Sequence, residues 1–207
     1  MTTGSKMGLN MELEFSDDEL RPFESLEGKL LVASKSLDGS CFERSLIYIC
    51  AHDDKGALGI IINNKIGNFY IKDYVGNAYV KPALKNKKVS IMFGGPIDQD
   101  RLIILSITKE QEKNFEYFPA VTIYTECKQF LQDYASGNNK DKFLLAKGFA
   151  AWEPNQLEQE IEENSWLIAP ANLDILFSQK VKNKWSKMVE SLGVRSFLQL
   201  VNYTGNA

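Results

Sequence analysis

The one histidine of the 207-residue chain, His52, lies close to a cysteine and is the first residue to consider for chemistry. Cys50 and His52 are spaced i, i+2 in an apolar run typical of a strand, so both would project to the same face as a nucleophile and its base. On a flat strand these side chains are ~7 Å apart, too far for a direct hydrogen bond. The apolar residues before Cys50 also predict a buried, inert thiol. Packing is therefore the favoured interpretation of Cys50. For His52 two interpretations stay open: a functional residue without Cys50, and the simpler one of a surface or hydrogen-bonded structural histidine.

A second candidate is the Gly94-Gly95-Pro96 turn, which follows an apolar run. Glycines in a tight turn can present backbone N–H groups to an anion, and Arg101 lies near enough in sequence to supply a positive charge. The turn is not a phosphate loop, because no Gly-Lys-Ser/Thr follows it and proline removes one donor. A plain turn remains the alternative interpretation.

The residues that several other catalytic and metal sites require do not occur in the sequence. Gly-x-Ser-x-Gly does not occur, so no serine nucleophile elbow is expected. One histidine and three cysteines (Cys41, Cys50 and Cys127) exclude a multi-histidine metal centre and a zinc site built from two Cys-x-x-Cys pairs. We expect no metal and no cofactor.

Charge disfavours nucleic acid as a partner. The chain has 24 basic and 27 acidic residues, which gives a net charge of −3 and no global field to attract phosphate backbones. Two lysine clusters, Lys81 to Lys88 and Lys180 to Lys187, could contact phosphate if the fold brought them together, although solvated faces are the simpler interpretation. Glu158 to Glu163 is likewise interpreted as a solvated helix face, although the five acids without a base from Glu153 to Glu163 could also repel nucleic acid or attract a basic partner.

The elements that would position these residues are mostly strands. Ser45 to Ala51 and Ala57 to Ile62 predict two strands joined by a polar hairpin that ends in glycine. Both runs are almost continuously apolar, which indicates burial on both faces and a sheet covered by helices. Further strands are predicted at Leu30 to Ala33, Val89 to Phe93, Leu102 to Ser106, Val121 to Tyr124, Phe143 to Ala151 and Trp166 to Ile168.

Three helices are expected. The first covers Glu126 to Tyr134 and ends at Gly137, and the second begins at Pro154. The third covers Lys180 to Leu192, where an apolar stripe that includes Trp185 is periodic and the lysines, Lys184 among them, point elsewhere.

The chain is interpreted as a single domain preceded by a flexible N-terminal extension. Residues 1–27 are acidic and poor in apolar side chains, so we interpret them as a flexible extension, and residues 28–207 as a single domain. The longest apolar runs are far short of the ~20 residues that span a bilayer. An odd number of cysteines favours a reducing compartment, so the expected location is the cytoplasm, without a membrane partner.

Several ordered blocks resemble the bacterial YqgE/AlgH family. They begin with Leu31-Val-Ala33, Phe42-Glu-Arg-Ser45-Leu-Ile-Tyr-Ile-Cys50-Ala-His52 and Gly56-Ala-Leu-Gly59-Ile-Ile-Ile-Asn63. They continue, in the same order, with Gly94-Gly95-Pro96 and Asp100-Arg101, Gly148 to Trp152, Gln156 to Ile161, Asn164 to Pro170 and the helix around Trp185. The likeness covers about residues 28–195.

The resemblance implies an α+β fold: a single compact domain with a bent or branched mixed sheet covered by a few helices. Family members are commonly labelled uncharacterised proteins or transcriptional regulators. The family pattern includes a histidine, an asparagine, the Gly-Gly-Pro turn and a tryptophan at matching positions, which implies that these residues line one groove. With the arginine of the possible anion site, the candidate ligand-binding residues are His52, Asn63, Gly94, Gly95, Arg101 and Trp152. The chain departs from the pattern at Ala51, where glutamate is typical, and at Leu102, where glycine commonly follows the arginine.

The leading hypothesis is a cytosolic, non-catalytic protein that is either a regulator or a ligand- or partner-binding module, with this groove as the site for a small anionic ligand or a protein partner. The rival hypothesis is a small hydrolase or transferase that uses His52 as general base and the Gly94-Gly95 amides with Arg101 as an anion site. A DNA-binding regulator is the third class, favoured by the family label and disfavoured by charge. The sequence leaves the oligomeric state open.

Overall fold

The computed structural model describes residues 24–113, 121–178 and 180–193. The predicted acidic extension therefore lies outside the described residues, apart from residues 24–27. The last part of the predicted domain, residues 194–207, lies outside them too.

Nine strands form one mixed sheet within the described residues: β1 (Lys29–Ala33), β2 (Leu46–Asp53), β3 (Gly56–Ile61), β4 (Lys65–Tyr70), β5 (Lys88–Phe93), β6 (Ile97–Ile107), β7 (Thr122–Tyr124), β8 (Lys142–Trp152) and β9 (Trp166–Pro170). Six α-helices accompany them in the same part of the chain: α1 (Ile71–Val75), α2 (Lys109–Lys113), α3 (Cys127–Ser136), α4 (Gln156–Glu162), α5 (Leu173–Leu176) and α6 (Lys184–Ser191). None of the described helices is both long and apolar enough to cross a bilayer.

The sheet branches at β8. Its main path runs β4-β5-β8-β3-β2-β1-β9, while β6 also pairs with β8 and carries β7 on its far side. The first half of β8 pairs with β6 and β5, and its last three residues pair with β3. The β5–β8 pair is parallel, whereas the others are antiparallel. The expectation of a single α+β domain with a branched mixed sheet is confirmed.

Apolar side chains fill both faces of the sheet, as the continuous apolar runs predict. In β1, Leu30 and Val32 belong to one core cluster, with residues of α5 and α6, while Leu31 and Ala33 belong to another, with Leu157 of α4. A third cluster lies between α1, α3 and strands β6 and β8. The helices thus cover the sheet from both sides.

Two predicted helices differ from the observed ones at their start. Helix α4 begins at Gln156 and not at Pro154, because Asn155 has a left-handed conformation with φ of +63°. In the last predicted helix, a 3-10 turn (Val181–Asn183) precedes α6. A 3-10 turn advances three residues per turn instead of 3.6, so it shifts which side chains face the core.

That shift buries Lys184, which was predicted to point away from the core. Its side chain is 1% exposed, and its ammonium group donates to the backbone oxygens of Ile62 (3.0 Å) and Leu176 (2.8 Å). Burial lowers the Lys184 pKa to about 8, because a low-dielectric environment disfavours the charged form. Lys184 therefore links α6 by hydrogen bonds to the last residue of α5 and to the residue that follows β3.

The polar segment after Asn63 contains two elements that sequence patterning missed. Strand β4 lies at one edge of the sheet and is largely exposed, so it lacks the apolar alternation of a half-buried strand. Helix α1 has only five residues, of which Ile71 and Val75 are buried. Two buried positions are too few to establish a helical period.

Candidate functional site

His52 lies near the end of β2, and both of its ring nitrogens are engaged. The backbone N–H of Leu26 donates to Nδ1 at 2.9 Å, and Nε2 lies 2.7 Å from the Glu158 carboxylate. Because Nδ1 accepts, the ring proton is assigned to Nε2, which donates to Glu158. The His52 side chain is 2% exposed, and its backbone oxygen accepts from the Ser25 hydroxyl. His52 thus joins the segment before β1, the sheet and α4.

Cys50 and His52 lie on opposite faces of the sheet. A β-bulge between Ile49 and Ala51 shifts the β2–β3 register, and Cys50 belongs to the core cluster on the opposite face of the sheet. The extra residue of a bulge breaks the alternation on which the i, i+2 argument depends. Burial raises the pKa of Cys50 to about 12, so this thiol stays protonated and unreactive at neutral pH.

Trp152 is brought to the same region by the sheet. His52 pairs with Ala57 across β2 and β3, and Ala57 pairs with Trp152 across β3 and β8. His52 and Trp152 therefore occupy one row of the sheet, about 10 Å apart at two strand spacings. Both are covered by α4.

The acidic helix α4 is partly turned toward the sheet, which contradicts its interpretation as a wholly solvated face. One Glu160 oxygen accepts from the indole N–H groups of Trp152 (2.9 Å) and Trp166 (2.7 Å). The other Glu160 oxygen accepts from the amide of Gln156. Two glutamates of the run, Glu158 and Glu160, thus fix α4 on the sheet.

Asn63 lies elsewhere and closes a loop. Its side-chain oxygen accepts from the backbone N–H of Leu46 at 2.7 Å, and its amide donates to the backbone oxygen of Arg44 at 2.8 Å. Asn63 follows the end of β3, whereas His52 pairs with Ala57 near its beginning. The two residues are therefore at opposite ends of the β2–β3 hairpin.

Gly94 and Gly95 are buried where the turn after β5 crosses β8. A Cβ on Gly95, whose φ is +154°, would lie 2.1 Å from the carbonyl carbon of Phe149. Gly94 donates its N–H to the backbone oxygen of Lys147, and its own oxygen accepts from Ile61. Close backbone contact therefore accounts for these glycines, and the Gly94 N–H is already used.

Arg101 is exposed on β6 and pairs with a residue of its own strand. Its Nε lies 2.8 Å from the carboxylate of Asp98. Strand β6 lies beyond β8 and β3 from β2, three strand spacings or about 14 Å across the sheet from His52. The structure thus brings His52 and Trp152 together and leaves Asn63 and Arg101 apart from them.

A lysine-lined cavity is the feature that the sequence alone did not locate. It has a volume of about 250 Å³ and lies where β5 and β8 begin. Its lining includes Lys87, Lys88, Lys140 and Lys142, with Asp141, and the aromatic rings of Tyr134, Phe143 and Phe177. The predicted cluster Lys81 to Lys88 supplies two of the lysines. The other two flank Asp141 and show no pattern of their own.

In the described ranges, no group of three or more His, Cys, Asp or Glu side chains is arranged to hold a metal ion.

Comparison with known proteins identifies the chain's relatives. The profile of the AlgH-like family matches residues 30–196, a range that contains His52, Trp152, helix α4 and the lysine-lined cavity. The chain belongs to the AlgH-like family.

Relatives of this AlgH-like protein span nearly its whole length. A UPF0301 protein of Buchnera aphidicola is 35% identical over 186 residues, which cover 88% of this chain and 98% of the relative. A UPF0301 protein of Shewanella oneidensis is 35% identical over 192 residues, with 89% and 100% covered.

Two solved structures share the fold. The solution structure of AlgH from Pseudomonas aeruginosa matches with a TM-score of 0.63 and 26% identity, and covers 91% of this chain and 98% of AlgH. The crystal structure of protein DIP2367 from Corynebacterium diphtheriae matches with a TM-score of 0.59 and 20% identity, over 84% of this chain and 91% of that one. The second likeness concerns the fold alone.

Proposed function

We propose that this AlgH-like protein is a non-catalytic regulatory module of the bacterial cytoplasm that acts by binding a small anionic ligand or a protein partner. The observation that carries the proposal is the state of His52. A general base must be within hydrogen-bond reach of a substrate proton. Here one ring nitrogen is occupied by the Leu26 N–H and the other by Glu158, and the side chain is 2% exposed.

The rival enzyme hypothesis lacks the geometry that it needs. Arg101 lies three strands from His52, and the Gly94 N–H donates within the sheet and not toward a developing oxyanion. The lysine-lined cavity, in contrast, is open and basic. Binding is therefore better supported than catalysis.

A cytoplasmic location is supported by the cysteines. Cys41, Cys50 and Cys127 are all free thiols, which is typical of a reducing compartment. Recognition of duplex DNA is the weaker alternative, because the net charge is −3. Binding to random duplex at low salt that falls steeply as salt is added would favour that alternative.

A thermal-shift screen against anionic small molecules tests the proposal. A ligand that binds only the folded state raises the melting temperature, so we expect at least one anion to do so. His52→Gln should lower the melting temperature of the ligand-free protein and keep the ligand-induced rise. The small-ligand form of the proposal fails if no anion raises the melting temperature. The proposal as a whole fails if the native protein turns over a substrate that a folded His52→Gln variant does not.

A further inference from the structure

The parallel β5–β8 pair gathers lysines from separate parts of the chain. Ile91 pairs with Leu145, so Lys88 and Lys142, each three residues earlier, begin their strands at the same edge of the sheet. Lys87 and Lys140 also line the cavity at this edge. The fold therefore brings the lysines of residues 87–88 and 140–142 together where β5 and β8 begin. Neither segment alone predicts this concentration of positive charge.

The four lysines are only partly neutralised. Lys142 pairs with Glu112, and Asp141 lies in the cavity wall, so four positive and two negative charges leave +2. Lys88 lies over the Tyr70 ring, 5.0 Å from its centroid. Lys87 and Lys140 are exposed and form no ion pair with any described residue. Like charges held close together repel, and a bound anion would relieve that repulsion.

The cavity also has an apolar wall. Tyr134 and Phe143 pack edge to face with their centroids 4.8 Å apart, and Phe177 and Leu144 line the same space. Two polar residues, Ser90 and Ser178, also line it. Ligand sites commonly combine an apolar lining with a few polar groups that fix orientation. A volume of about 250 Å³ suits a small ligand.

From this arrangement we infer that the lysine-lined cavity binds a small phosphorylated compound with an aromatic or apolar body. The phosphate contacts Lys87 and Lys140, and the body packs against Tyr134 and Phe177. The inference rests on the proposed function, since it names the site and the ligand class of the binding module. The Gly94-Gly95 turn and Arg101 take no part in it.

Isothermal titration with phenyl phosphate, inorganic phosphate and benzyl alcohol tests the inference. The native protein should bind phenyl phosphate more tightly than either of the other two probes. Lys87→Gln and Lys140→Gln should each weaken binding about tenfold, because each removes a charge-assisted contact. Lys55→Gln, in the β2–β3 turn at the far end of the sheet, removes the same charge and should leave the affinity unchanged.

The outcomes separate the inference from the proposed function. If phenyl phosphate binds and Arg101→Gln weakens it while Lys87→Gln and Lys140→Gln do not, the cavity is the wrong site and the binding function stands. If inorganic phosphate binds as tightly as phenyl phosphate, the apolar part of the ligand class is wrong. If phenyl phosphate does not bind but another anion raises the melting temperature, only the inference fails. If no anion binds at all, the inference fails together with the small-ligand form of the proposed function.

Discussion

At the scale of single residues, His52 is a buried histidine with both ring nitrogens hydrogen-bonded, the simpler of the interpretations that its sequence context left open. Its position in the row of Ala57 and Trp152 follows from the sheet register, and its partners Leu26 and Glu158 are distant in sequence. Residue type and local spacing made His52 a candidate for chemistry. Only the tertiary contacts show that both nitrogens are committed.

Replacing His52 tests this role. His52→Ala removes two hydrogen bonds at a buried position, so we expect it to lower the free energy of unfolding by about 2–4 kcal/mol. Asp54→Ala, at an exposed position two residues away, should change it by less than about 0.5 kcal/mol. Urea unfolding measures both variants. Equal, small effects would contradict the structural role.

Lys184 predicts a pH dependence. Its pKa is about 8 in the folded protein because of burial, and about 10.4 is expected in the unfolded chain. Between these values the unfolded chain binds more protons, so the stability contributed by Lys184 rises with pH, by at most about 1.4 kcal/mol per pH unit. Below pH 8 both states are charged and the contribution is constant.

Comparison with Lys184→Met isolates this contribution. The variant cannot titrate, so the stability of the native protein relative to it should increase from about pH 8 to about pH 10. The raised pKa values of Tyr48 and Cys50 act in the opposite direction, but they are common to both proteins and cancel in the difference. Urea unfolding over this range is the measurement. A difference that stays constant or decreases with pH would contradict a lowered Lys184 pKa.

At the scale of elements, α4 is held on the sheet through Glu160. Glu160→Ala leaves two buried indole N–H groups without their acceptor, which should cost about 3 kcal/mol of unfolding free energy. Glu162→Ala, on the exposed side of the same helix, is the matched control and should have little effect. Chemical unfolding followed by tryptophan fluorescence compares them. Similar losses for both variants would contradict the stabilising role of the indole contacts, because alanine is a better helix former than glutamate and neither loss could come from helix propensity.

The close backbone contact of the turn after β5 leads to a second prediction, on the stability of a Gly95 variant. Gly95→Ala places a Cβ 2.1 Å from the Phe149 carbonyl carbon and should destabilise the protein by about 3 kcal/mol or more. Gly67→Ala in β4 meets nothing within 4 Å and serves as the control. Melting temperatures report the difference. A Gly95→Ala protein as stable as Gly67→Ala would reopen the interpretation of the turn as an anion site.

Elements were predictable from sequence where one local period determines them. The β2–β3 hairpin and helix α3 with its end at Gly137 are confirmed. The bulge in β2, the 3-10 turn before α6 and edge strand β4 were not predicted, because each interrupts or lacks a period. These interruptions matter for function: the bulge separates Cys50 from His52.

At the scale of the whole molecule, the branched sheet decides which predicted site residues meet. It aligns His52 with Trp152, and it separates them from Asn63 and Arg101. The same branch, through the parallel β5–β8 register, assembles the lysine-lined cavity by bringing together Lys88 and Lys142, which are 142 − 88 = 54 residues apart in sequence. Strand register over such separations cannot be inferred from composition or periodicity, so the fold class and the basic segment Lys81 to Lys88 were predictable but the cavity was not.

The most direct measurement is an amide chemical-shift map of the isotope-labelled protein titrated with phenyl phosphate. If the protein is a binding module whose ligand occupies the lysine-lined cavity, signals of Ser90 and Phe143 should move with a common saturating dependence, while those of His52 and Trp152 stay unchanged. Saturating shifts centred on His52 and Trp152, with Ser90 and Phe143 unaffected, would contradict the account.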